Sequence, residues 1–191
     1  MSFDVQFWVN LCWAATAWVW LVTSLRLKPV QRVLSPELRA LQIGLQILGA
    51  VLMFSTVPLG SALQTQVVPH AILPGTIGLA LAATGNAIAI AARAYLGSNW
   101  SGVAVIRQNH ELICSGPYAL VRHPIYTGLV LAVCGTAIAF GEVRQLIAVP
   151  LFLAAIRIKQ ATEETLLTQA FGEKYHAYRQ AVKWGIVPFV I

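Results

Sequence analysis

The sequence predicts an all-α integral membrane protein of about five transmembrane helices, N-terminus outside and C-terminus cytoplasmic, with a C-terminal amphipathic helix. Three observations carry this. Of 191 residues, 58% are hydrophobic and 10% charged, whereas an average soluble domain has roughly 25% charged residues. Uncharged runs cover Val5–Leu25, Ala40–Pro69, Ala71–Ala92 and Pro124–Gly141, each close to or beyond the roughly 17–25 residues of a bilayer-spanning helix. Twelve of the 13 Lys and Arg residues, all but Arg144, fall on one side of the resulting topology, and the positive-inside rule makes that side cytoplasmic. The net charge of +6 is thus a matter of membrane orientation and points to no nucleic-acid partner.

The first run should stay as a helix, since Asp4 precedes it where a cleaved signal would carry basic residues. Phe7, Trp8, Trp18 and Trp20 lie toward its ends, at headgroup level, while Trp13 at mid-depth is assigned to packing. Ser35-Pro36-Glu37 reads as the start of the second helix, with Pro at the first helical position. The third is rich in Gly and Ala (Gly75, Gly78, Gly85) and suits close approach of a neighbouring backbone. Between Tyr95 and Val121 a polar linker holds two short apolar stretches, Gly102–Ile106 and Glu111–Cys114, that read as a small hairpin.

Pro124 opens the fourth helix and puts His123 at its cap, so the helix N-terminus, with its unpaired N–H groups, faces the cytoplasm and suits an anionic group. Gly128 and Gly135, seven apart, could admit either a helix or a flat ring. A fifth span runs from Gln145 to about Ile158 if Arg157 and Lys159 snorkel, and its helix continues to Phe171-Gly172. Phe171, Tyr175, Tyr178 and Val182 then form the apolar stripe of an amphipathic helix, a lid or membrane contact rather than a catalytic element. Cys12, Cys114 and Cys134 have no metal-ligand spacing, and no metal site is expected.

Chemistry concentrates at one end of the fourth and fifth helices. Arg122 alone would be a topology anchor, His123 alone a cap, and Glu163-Glu164 alone a solvated helix end. The short turn between the two helices makes antiparallel packing the default and brings Arg122 and His123 toward the glutamates. Such a pocket, positive on one wall and negative on the other, matches a zwitterionic amino-acid moiety. Adjacent helical residues point about 100° apart, so only one glutamate should face it.

Gly116-Pro117-Tyr118, Arg122-His123-Pro124, Tyr126, Gly128, Glu163-Glu164, Phe171-Gly172, Tyr175, Tyr178 and Pro188, preceded by Leu96-Gly97-Ser98-Asn99-Trp100-Ser101, resemble the isoprenylcysteine carboxyl methyltransferase family, part of a membrane methyltransferase superfamily that includes phospholipid methyltransferases. The resemblance covers residues 93–191. It implies S-adenosylmethionine as cofactor, held by Gly116, Tyr118, His123, Pro124, Tyr126, Gly128, Glu163 and Glu164, with Arg122, His123 and Tyr126 as candidate catalytic residues. It further implies that residues 93–191 are a methyltransferase core acting on a lipophilic small molecule or lipid from a cytoplasmic-facing site; with residues 1–92, a three-helix part by their apolar runs, they make a single membrane domain. Lys159 stands where the family commonly has arginine. An NADPH-dependent membrane reductase shares the C-terminal pattern but fits Pro124 and the paired glutamates less well. A transporter would need a polar track, and the spans hold almost no ionisable residue at mid-depth.

Overall fold

The computed structural model describes residues 4–24, 30–33, 36–97, 105–107 and 111–187. Its elements, in chain order, are α1 (Val5–Ser24), β1 (Val30–Val33), α2 (Pro36–Phe54), α3 (Ile72–Leu96), β2 (Val105–Arg107), α4 (Pro124–Phe140), α5 (Val143–Phe171) and α6 (Glu173–Ala181), with a 3-10 turn at Gly116–Ala119 before α4. Among the described residues the regular structure is helical apart from one small two-stranded sheet. Helices α1, α2 and α3 are long and apolar enough to cross a membrane, while α4 is apolar but shorter. Helix α5, at 29 residues, is roughly 44 Å long and, apart from Arg144 at its start, carries its charged residues from Arg157 onward.

Two expectations of the sequence change here. The uncharged run to Pro69 does not stay helical, because α2 stops at Phe54 and Pro58 and Gly60 lie in the loop that follows. The linker hairpin does not form as expected: Val105–Arg107 pairs antiparallel with Val30–Val33 of the first loop, and Glu111–Cys114 forms no strand. Edge N–H and C=O groups far apart in sequence satisfy one another, a pairing that local pattern cannot announce. Residues 102–104 of the expected hairpin, and 98–101 of the matched segment, lie outside the described residues.

The packing order also differs from a simple α4–α5 hairpin. Helix α4 packs chiefly on α3 and α5 chiefly on α2, with a smaller α4–α5 contact. Reciprocal glycines explain the first pair. A Cβ on Gly85 would lie 2.5 Å from Gly128 O, and one on Gly128 would lie 2.5 Å from Gly85 O; seven residues along, Gly78 and Gly135 meet in the same way, with 2.7 Å to each other's carbonyl oxygen. Between apolar helices in lipid there is no hydrophobic drive to associate, so close backbone approach of this kind supplies the packing. Interhelical hydrogen bonds add to it: Trp13 Nε1 donates to Thr136 Oγ1 at 2.9 Å and Thr16 Oγ1 to Asn86 Oδ1 at 2.5 Å. Trp13, assigned to packing, therefore both packs edge-on against Phe54 and donates a hydrogen bond.

The turn between α4 and α5 is closed by the preceding loop. Val67 and Val68 N–H donate to Gly141 O, while Val143 and Arg144 N–H donate to Thr65 and Leu63 carbonyls. Glu142 and Gln145 form a capping box on α5, and Glu142 also pairs with Arg144 at 2.5 Å. The single basic residue that breaks the charge asymmetry is thus neutralised locally. With this end fixed, the opposite ends of α4 and α5 are set close together.

Candidate active site

The other end of the bundle begins with the 3-10 turn. Gly116 is required there twice over: its φ is +59°, and a Cβ would lie 2.6 Å from the Tyr95 ring. Tyr118 is buried, donates to Ala92 O at 3.3 Å and accepts at its own carbonyl from Tyr178 OH at 2.7 Å. It ties the linker to the end of α3 and to α6. Pro124 is the buried first residue of α4, with His123 as its N-cap. Pro124 has no N–H, and the N–H groups of Tyr126 and Thr127 both reach His123 O. The helix end therefore offers an incoming anion fewer donors than its position alone suggests.

Arg122, His123, Tyr126, Glu163 and Glu164 come together. One oxygen, Glu164 Oε1, faces Arg122 Nε and Nη2 at 3.0 Å each, His123 Nε2 at 3.2 Å and Gln160 Nε2 at 3.5 Å, and Glu164 Oε2 lies 3.7 Å from Arg179 Nε. Charged groups meet Glu163 at longer range, His123 Nδ1 at 3.6 Å and Lys159 Nζ at 3.9 Å, and the Tyr126 hydroxyl donates to it. Tyr126 stacks on His123 at 5.4 Å with an 11° interplanar angle, and Lys159 Nζ sits 5.6 Å from the Tyr126 ring centre. Gly128 lies further along α4 and faces α3, so its missing side chain serves the helix contact.

With a carboxylate at each ring nitrogen, His123 is held as an imidazolium; a neutral ring would turn a lone pair toward one of them. Burial by itself disfavours that charge, but the hydrogen bonds and charges of both glutamates outweigh it and raise the His123 pKa. Burial likewise works against the Glu164 carboxylate, yet His123 and Arg122 bring its pKa down to about 2. Glu163 is also lowered, burial being overcome chiefly by His123 and then Lys159. The two carboxylates are no solvated helix end: their side chains are 23% and 15% exposed. Nor are the walls separated as the sequence suggested, since Arg122 and Glu164 are in direct contact.

Sequence reasoning placed Lys159 beside the paired glutamates but missed three contributors. Gln160 precedes Glu164 by one helical turn, a spacing that was readable. Arg179 reaches Glu164 from α6. The third is the segment Val182–Ile186, whose carbonyls accept hydrogen bonds from Arg122, His123 and Thr127; backbone acceptors leave no side-chain signature. The stripe on α6, expected to be a lid or membrane contact, faces the protein: Tyr175, Tyr178 and Val182 are buried against Leu112, Leu167 and Phe171.

A family model described as phospholipid methyltransferase matches residues 74–174, from the first turn of α3 to the start of α6. The chain belongs to the phospholipid methyltransferase family. The resemblance to isoprenylcysteine carboxyl methyltransferases also holds among individual relatives. The protein-S-isoprenylcysteine O-methyltransferase of Schizosaccharomyces pombe is 31% identical over 114 residues, covering 58% of this chain and 48% of that protein. The probable protein-S-isoprenylcysteine O-methyltransferase of Oryza sativa subsp. indica is 32% identical over 117 residues, covering 60% and 61%. The solved eukaryotic intramembrane Ras methyltransferase, isoprenylcysteine carboxyl methyltransferase, superposes with a TM-score of 0.53 at 26% identity, over 82% of this chain and 53% of that one. The chain thus spans about half to three-fifths of the length of these proteins. The likeness, together with the three long apolar helices, makes this family member a multi-pass integral membrane protein.

Proposed function

We propose that this family member is an S-adenosylmethionine-dependent membrane methyltransferase acting on a lipophilic acceptor, at a carboxyl oxygen, a thiol sulfur or an amine nitrogen. The observation that carries the reading is the His123 ring held between Glu163 and Glu164 within the family-matched segment. The residues fit the group. Glu163 is partly exposed and its charged partners, at 3.6 and 3.9 Å, hold it less closely than Glu164 is held, which leaves it the better placed of the two to receive the cofactor ammonium, while Glu164 is saturated with donors. When bound, the sulfonium supplies a methyl group that is already activated, so the chain's task is alignment and exclusion of water. His123 and Tyr126, at 7% and 6% exposure, line a dry wall, and their stacking fixes the orientation of both rings. A carboxylate or thiolate acceptor would need no strong base here; an amine would have to lose a proton first.

The expected result is binding of S-adenosylmethionine or its demethylated product by the purified protein in detergent, with micromolar affinity, about −8 kcal/mol. Calorimetry of folded protein that shows no such binding while NADPH binds would overturn the reading in favour of a reductase.

The same proposal places five spans in the bilayer, with the apolar first half of α5 as the fifth, the N-terminus outside and the site cytoplasmic. The basic residues at the site end, Arg122, Arg157, Lys159, Lys174, Arg179 and Lys183, support it, as does the pairing that neutralises Arg144 at the other end. A cysteine at Gln66 should therefore label from outside intact cells, and one at Lys174 only after permeabilisation. The reverse pattern would rule out the orientation.

A further inference from the structure

The site is closed. His123 and Tyr126 are buried and the Arg122 side chain is only 10% exposed, so nothing the size of a nucleoside reaches His123 unless an element moves. Helices α3 and α4 are locked by their glycine contacts, and α5 is held at its capped end by the preceding loop. Among the described residues, the cover that crosses the start of α4 is Val182–Ile186, an irregular segment. Five consecutive carbonyls of this strap accept from one stretch of chain: Val182 O and Lys183 O from Arg122 Nη1 at 2.8 and 2.7 Å, Trp184 O from Arg122 N–H and Gly185 O from His123 N–H at 2.9 Å each, and Ile186 O from Thr127 Oγ1. Gly185 lets the strap lie against α5, where a Cβ would collide with Gln160 Nε2.

We propose that Val182–Ile186 is a lid over the cofactor site and that Arg122 is its clasp, a positioning residue rather than a ligand contact. Every guanidinium nitrogen of Arg122 is already engaged: Nε and Nη2 hold Glu164 on α5, and Nη1 holds two lid carbonyls. The guanidinium therefore joins α5 to the lid and has little donor capacity left for a ligand carboxylate. Hydrogen bonds to backbone carbonyls can be exchanged for water at small net cost, which is the behaviour a lid needs. A second observation favours opening. The Tyr175 hydroxyl, on the helix that leads into the lid, is fully buried with no hydrogen-bond partner among the described residues. Lifting α6 and the lid together would return that hydroxyl to water.

The inference rests on the reading of this site as the cofactor site, and the experiment separates the two. Association and dissociation of labelled S-adenosylhomocysteine are followed by stopped flow on the full chain in nanodiscs, for wild type, Arg122→Lys and Thr127→Val. Lysine keeps the charge but loses the fork that spans Glu164 and the lid; valine removes one anchor at Ile186. Both variants should speed dissociation, Arg122→Lys by about tenfold or more and Thr127→Val by a smaller factor. Faster hydrogen exchange at the Arg122 and His123 amides, which donate to the lid, should follow the same order. Wild-type protein that binds no S-adenosylhomocysteine would overturn the proposed function. Binding by wild type with dissociation unchanged in both variants would overturn the lid alone. Faster dissociation in Arg122→Lys with association unchanged, and no change in Thr127→Val or in amide exchange, would return Arg122 to the ligand contacts. Thr127→Val decides the matter if the lysine variant does not fold.

Discussion

Replacing Gly85 by Val should cost more than about 4 kcal/mol and leave little folded protein, because no side chain can occupy the α3–α4 contact. A Cβ at this position already lies 2.5 Å from Gly128 O, and its nearest neighbours are backbone atoms of Gly128 and Ala132. Backbone cannot rotate aside as a flexible side chain can, so the helices would have to separate along their length. Separation would undo the reciprocal Gly78–Gly135 contact one heptad away and strain the hydrogen bond from Trp13 to Thr136. In lipid no hydrophobic gain compensates for the lost packing. Gly44→Ala in α2 is the matched control: nothing lies within 4 Å of its Cβ position, and the change should be neutral or stabilise by up to about 1 kcal/mol. Thermal unfolding in a mild detergent compares the two. A wild-type midpoint for Gly85→Val would mean that the glycine contact does not hold the helices together.

That contact shows which part of the fold was legible. Helix positions followed from uncharged runs, and four of the five starts and stops hold to within a few residues because charges and prolines bound them. The second run misled, since residues 55–69 are uncharged yet belong to the loop that closes the α4–α5 turn. Pairing was harder to read. The short turn argued for α4 beside α5, whereas the seven-residue glycine spacing on both α3 and α4 was the stronger signal and was present in the sequence. For Gly128 it decides between the two readings left open, in favour of a neighbouring helix.

At the site, the residue types that would gather were readable because Arg, His and paired Glu at helix ends in a membrane protein are costly unless they meet. Their division of labour was not. Which of two adjacent glutamates faces which partner depends on the rotation of α5 about its axis, which α2 sets through packing. The role of Val182–Ile186 lay beyond reach altogether, since its carbonyls are common to every residue.

The two glutamates should therefore separate stability from binding. Glu164→Gln removes the charge that Arg122 and His123 share through one oxygen and leaves two largely buried cations facing an amide. Breaking a buried pair from one side costs about 3–5 kcal/mol, and the Gln oxygen can still accept one of the bonds, so a loss near about 3 kcal/mol is expected, together with a loosened lid. Glu163→Gln differs, because its charged partners stand at 3.6 and 3.9 Å and its side chain is the more exposed of the two. Stability should change by less than about 1 kcal/mol, while affinity for S-adenosylmethionine should fall by roughly 2–5 kcal/mol as a desolvated charge pair is lost. Ligand-free melting temperatures and calorimetric affinities for the two variants read the two effects separately. If Glu163→Gln instead melted early while Glu164→Gln kept its fold and lost the ligand, the roles of the two carboxylates would be exchanged, and the clasp through Arg122 could not be what holds the lid.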